Sequence, residues 1–74
     1  MQTYEKPSKP EPFKIKRVNY KVKYHGEMTL DLTPNSIYQC IGEVIEDFQQ
    51  GFLVIIDESG DSYIYAPKYF EKIQ

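Results

Sequence analysis

Phe52-Leu53-Val54-Ile55-Ile56-Asp57-Glu58-Ser59-Gly60-Asp61-Ser62-Tyr63-Ile64-Tyr65-Ala66-Pro67-Lys68-Tyr69-Phe70-Glu71-Lys72-Ile73 closes the stretch from Leu30 onward whose reading decides the fold. An unbroken apolar run the length of Phe52–Ile56 reads as a strand buried on both faces, the centre of the core. Asp57 to Asp61 then forms a hairpin turn in which Gly60 supplies a positive φ. Ser62 to Tyr65 is the returning strand. Ala66-Pro67-Lys68-Tyr69 makes one tight helical turn, and Phe70 to Ile73 a last short strand. Short strands this closely spaced specify an all-β chain, a small barrel of strongly bent strands.

Working outward, Thr33-Pro34-Asn35-Ser36 is a turn, since Pro fixes φ while Asn and Ser bond their own backbone. The segment after it admits two readings. Ile37, Cys40, Ile41, Val44, Ile45 and Phe48 fall at helical spacing, with Ser36 and Gln39 as a capping box and Gly51 as a stop. Interior Gly42 and the β-branched Ile37, Ile41, Val44 and Ile45 instead suit a strand with a glycine bend. Gln49-Gln50-Gly51 turns the chain into Phe52.

Upstream, Phe13 and Ile15 alternate with Lys14 and Lys16. Val18, Tyr20, Val22 and Tyr24 then alternate with Arg17, Asn19, Lys21 and Lys23. Period two is a half-buried strand, and the change of parity asks for a bulge near Lys16-Arg17. His25-Gly26-Glu27 breaks the run, and Met28, Leu30 and Leu32 alternate as a short returning arm. Pro7, Pro10 and Pro12 forbid a helix or central strand before Phe13. Residues 1–12 therefore read as a flexible, proline-rich arm and 13–74 as the single folded domain.

The chain has 74 residues with seven Tyr, four Phe and one cysteine. A domain this small buries only roughly 60% of its unfolded surface, so the aromatic rings must supply much of the core. Cys40, lying in an apolar run, reads as a buried thiol in a reducing cytoplasm. No stretch reaches the about 20 apolar residues of a membrane span, and Met1-Gln2-Thr3-Tyr4-Glu5-Lys6 lacks a signal-peptide core. The expectation is a soluble, cytoplasmic protein, a monomer or a weak dimer. Its net charge of -2 hides a split: residues 1–26 hold seven cations against two carboxylates, and 27–74 hold nine carboxylates against two cations. The split is read either as a nucleic-acid-binding edge or as a basic strand lying beside acidic neighbours in one sheet.

Several of these segments resemble the Src-homology-3 family, over about residues 18–73. Leu30-Asp31-Leu32 is similar to its returning arm, and Ile37-Tyr38-Gln39-Cys40 to its next strand. Gly51-Phe52 stands where paired tryptophans are common, Asp57–Asp61 resembles the distal hairpin, and Tyr69-Phe70-Glu71-Lys72-Ile73 the closing strand. Lys21-Val22-Lys23, Leu32–Tyr38 and Tyr63–Pro67 also resemble short uncharacterised proteins of bacteria and their phages, with Asn35 where Gly is usual. The resemblance implies a five-stranded SH3-like barrel with the strand reading at 37–50. It also implies a peptide groove of Tyr20, Tyr24, Phe52, Pro67 and Tyr69 for proline-rich ligands. Trp is absent, and the loop after Tyr24 carries only Glu27 where the family has several acids.

Catalysis finds little support in the residues. His25 is the only imidazole, so no Ser-His-Asp or Cys-His set forms beyond it, and no partners sit at metal-ligand spacing. Glu46-Asp47 and Asp57-Glu58 read as solvated charges without a third group to tune them. The expectation is a non-enzymatic binding module with no cofactor and no metal. Its first candidate partner is a protein or peptide, met at the aromatic groove or a sheet edge. Pro7-Ser8-Lys9-Pro10 is itself a PxxP segment. The alternative is nucleic acid, bound by Lys14, Lys16, Arg17, Lys21 and Lys23 interleaved with Phe13, Tyr20 and Tyr24. A phage inhibitor or assembly protein acting through a sheet edge is a third possibility.

Overall fold

The computed structural model describes residues 9–10, 13–45 and 50–73. Expectations for the rest of the arm, for Glu46-Asp47 and for Phe48 lie outside these residues. Five strands form one antiparallel sheet: β1 (Ile15–Tyr24), β2 (Ile37–Val44), β3 (Leu53–Ile56), β4 (Ser62–Tyr65) and β5 (Phe70–Ile73). Their order across the sheet is β4-β3-β2-β1-β5. Of the segment 37–50 read as strand or helix, residues 37–44 are strand, and no α-helix forms among the described residues. A 3₁₀ turn, Pro67–Tyr69, sits where one helical turn is expected, with Phe70 N–H donating to Pro67 O at its end. The pairing does not close: β4 is bonded only to β3 and β5 only to β1, so these four-residue strands are the edges of an open sheet.

The long strands bend at one level. The β1–β2 register slips between Arg17 and Tyr20, slightly later than the alternation suggests, and the β2–β3 register slips between Cys40 and Gly42. An extra residue on one strand increases local twist and curls the sheet over its core. That core is Val22, Tyr24, Leu32, Tyr38, Cys40, Leu53 and Ile55, with Val18, Tyr20, Tyr65 and Phe70 packed against it. A second apolar group sits around Gly42, where the cross-strand pairs Ile15–Val44 and Val54–Ile64 converge. A Cβ on Gly42 would lie 2.4 Å from Ile15 Cγ2 and 3.2 Å from Val54 Cγ2, so a glycine is what lets the two strands close here.

β1 begins two residues later than the alternation proposes, because Phe13 N–H bonds back to Pro10 O in a turn. The returning arm at Met28–Leu32 also needs correction. It is loop, not strand, and only Leu32 is buried; Met28 is 69% and Leu30 80% exposed. Thr29 explains the difference: its Oγ1 accepts from Asp31 N–H and Leu32 N–H while its own N–H donates to Leu32 O. This tight turn spends the backbone locally and breaks the period-two alternation that would have carried Leu30 inward.

A polar staple fastens that loop to the β3–β4 hairpin. Glu58 N–H donates to Asp31 O, while Thr33 Oγ1 and Tyr38 Oη both donate to Glu58 Oε2, at 2.6 and 2.5 Å. The hairpin is held from inside by buried Asp57, whose Oδ1 accepts from Ser59 N–H and Oγ–H and whose Oδ2 accepts from Tyr65 Oη. Gly60 at φ 88° turns it as expected, and Asn35 at φ 68° takes the left-handed conformation its side chain tolerates. No helix among the described residues is long and apolar enough to cross a membrane.

Candidate functional site

The 3₁₀ turn brings together two of the five groove residues. Pro67 and Tyr69 are both exposed, Tyr69 at 43%, because a single turn offers no face for the core. His25 N–H donates to Tyr69 O at 2.7 Å, so the loop after β1 starts against this turn. His25 Nε2 also lies 2.7 Å from Glu71 Oε1, pinning loop to β5 on the surface. Met28 and Leu30 follow within the same loop. Two large apolar side chains thus stand in solvent on a segment tied to an exposed Tyr and Pro; Ile37, Ile41 and Ile45 are exposed along β2 and just past its end.

The other three groove residues are placed differently. Tyr24 is a core residue, 4% exposed, its ring 5.3 Å from that of Phe70 and its hydroxyl donating to Glu27 O. A Cβ on Gly26 would meet that ring at under 3 Å, so Gly26 lets the loop fold over it. Tyr20 is half-buried, its hydroxyl on Glu43 at 2.6 Å and its ring beneath Lys72 Nζ at 4.5 Å. Its proton is held well above the usual phenol range, by desolvation first and by the Glu43 carboxylate second. Phe52 precedes β3, where its carbonyl accepts from Val44 N–H, and is half-buried. Continuing the Leu53–Tyr65 register sets Phe52 opposite Ala66, next to Pro67.

Four of the five basic candidates lie on β1, and Lys14 directly precedes it. Lys14, Lys16, Arg17 and Lys21 are exposed and Lys23 is half-buried. The register sets Lys16 opposite Glu43 and Lys23 opposite Glu71, which is the arrangement of a basic strand beside acidic neighbours. No ion pair within 4.0 Å joins Lys16, Arg17, Lys21 or Lys23 to a described residue. The rings interleaved with them turn elsewhere, Tyr24 into the core and Tyr20 under Lys72.

Cys40 is fully buried, and burial pushes its thiol up from its ordinary value. A thiol held protonated out of water is a poor nucleophile. Among the described residues no group of three His, Cys, Asp or Glu side chains gathers as metal ligands. Tyr20–Glu43 ties β1 to β2, and Tyr38–Glu58 and Tyr65–Asp57 tie strands to the β3–β4 turn.

The reading of the sequence missed Met28 and Leu30, whose alternation with Leu32 mimics a strand; the nearby Thr29 is the only local sign of a turn. It also missed the ring cluster Tyr24, Phe70 and Tyr65: the β1–β5 pairing sets Tyr24 beside Phe70, and Tyr65 reaches Phe70 from β4 at the other edge of the sheet. Comparison of the chain with protein-family models, with curated proteins and with solved structures found no match.

Proposed function

We propose that this chain is a non-enzymatic protein-binding module with an SH3-like small barrel, and that it takes its partner at the end of the sheet carrying Pro67 and Tyr69. One observation carries the reading: Met28, Leu30 and Tyr69 stay 69%, 80% and 43% exposed on two segments joined by the His25–Tyr69 hydrogen bond. A small domain with so little core gains by covering such side chains, and exposed apolar clusters mark interaction surfaces. The strand order, the bends in β1 and β2 and the 3₁₀ turn before β5 support the barrel likeness. The ligand class this surface suits is an extended, proline-rich peptide, which loses little entropy on docking against a Pro-Tyr ridge.

Calorimetric titration with a proline-rich peptide tests this. The expected result is saturable binding that Tyr69→Ala weakens at least tenfold, about 1.4 kcal/mol. Binding that Tyr69→Ala and a Met28→Ser/Leu30→Ser double variant both leave unchanged would remove the surface from consideration.

A second reading, nucleic-acid binding, draws on the four β1 cations that no described carboxylate pairs with. Single-stranded oligonucleotide affinity falling steeply with salt is its signature.

A further inference from the structure

We propose that the N-terminal half of β1 is a strand-accepting edge that takes an extended acidic peptide in line with β5. β1 runs from Ile15 to Tyr24, but β5 pairs with it only from Lys21 to Tyr24. The direction of the remaining backbone groups follows from the hydrogen bonds at both ends. Tyr24 N–H donates to Ser36 O and Tyr24 O accepts from Asn35 N–H, so residues 20, 22 and 24 face β2. His25 N–H reaches Tyr69, on the β5 side, as do the alternating positions 21 and 23. Below the bulge, Lys14 O accepts from Ile45 N–H, which turns 14 and 16 toward β2 and 15 and 17 away from it. By the same alternation Asn19 faces away. Ile15, Arg17 and Asn19 thus present backbone donors and acceptors along roughly 13 Å of edge, and no described strand pairs with β1 on that side of them.

Geometry and charge choose the occupant. β5 pairs Ile73 with Lys21, so a strand laid end to end with β5 runs antiparallel along this edge. Lys16, Arg17 and Lys21 line it, exposed and without an ion pair to a described residue. Cations on an edge repel a second copy of the same edge and leave it open to a strand of opposite charge. Nucleic acid fits less well, because stacking needs free rings and Tyr20 and Tyr24 are turned inward. The edge lies roughly 20 Å along β1 from His25 by strand rise, so it is separate from the surface at the 3₁₀ turn.

Amide NMR of the full chain tests this with two probes, an acetylated Glu-Val-Glu-Ile-Glu-Val amide and its Lys-for-Glu counterpart. The expected result is shifts and slowed exchange at Ile15, Arg17 and Asn19 with the acidic peptide alone. Saturating proline-rich peptide should not displace it. A Lys16→Glu/Arg17→Glu variant should bind at least tenfold more weakly. Arg17→Pro, which deletes an outward N–H and no β1–β2 bond, should abolish the response; if it fails to fold, the charge-reversed variant decides. Silence at the three amides, an equal response to both peptides, or a response along β1 to a single-stranded oligonucleotide and not to the acidic peptide would overturn the proposal.

Discussion

Cys40 and the tyrosines near it show what burial does to single side chains in a domain this small. The Cys40 thiol has no solvent exposure and is pushed up by desolvation, so a disulfide reagent should leave it unmodified in the native protein. Its absorbance-monitored reaction should appear only with unfolding in denaturant; rapid labelling of native protein would show an open core. Tyr20 and Tyr38 are also raised, each by desolvation first and by a carboxylate partner second, Glu43 and Glu58. A raised folded value contributes stability that is complete below the unfolded phenol value of about 10 and is lost as pH rises toward the folded value. Glu58 is shifted the other way, lowered by the donors Thr33 and Tyr38. Its contribution is present above the unfolded carboxyl value of about 4.3 and is lost as pH falls through the lower folded value. Urea midpoints across pH should therefore decline at both ends. Glu58→Gln should flatten the acid limb, and Tyr38→Phe should cost about 1–3 kcal/mol by orphaning Thr33 N–H, while Glu58 keeps its bond from Thr33 Oγ1.

At the level of elements, local chemistry made the second half of the chain readable. Ser62–Tyr65, the turn before β5 and Phe70–Ile73 are where residue type alone places them, since Gly60 and Pro67 punctuate them and each strand is short. The choice between helix and strand at residues 37–44 was not local. It depends on Gly42 admitting Ile15 from one neighbour and Val54 from the other, a contact between residues far apart in sequence. Gly42→Ala should consequently cost about 1–3 kcal/mol by overpacking, measured as a lower urea midpoint with unchanged slope. A neutral result would mean that Ile15 gives way freely. The turn before β2 rests on Asn35 at φ 68°, so Asn35→Ala should lose about 1–2 kcal/mol and Asn35→Gly should not. Met28 and Leu30 were misread for a related reason: period two marks burial only where a partner strand lies alongside, and Thr29 turns the chain before one can.

Across the whole molecule, the charge split of the sequence becomes a cationic β1 whose Lys16 and Lys23 stand opposite Glu43 and Glu71 in register without closing an ion pair. What that pairing leaves over is the uncovered N-terminal half of the strand. The aromatic content divides in the same way. Tyr24, Tyr38, Tyr65 and Phe70 build the core or its staples, and among the described residues Tyr69 is the one large aromatic that is exposed. Composition counts rings without saying which face water, which is why Tyr20, Tyr24 and Tyr69 looked equivalent in the sequence. A two-dimensional amide spectrum of the full chain, recorded while a proline-rich peptide is added, tests the proposed function most directly. The account predicts shifts concentrated at Met28 to Leu30 and Lys68 to Phe70, with the Ile15–Asn19 edge undisturbed. Saturation without movement at those residues, or movement confined to other parts of the sheet, would contradict it.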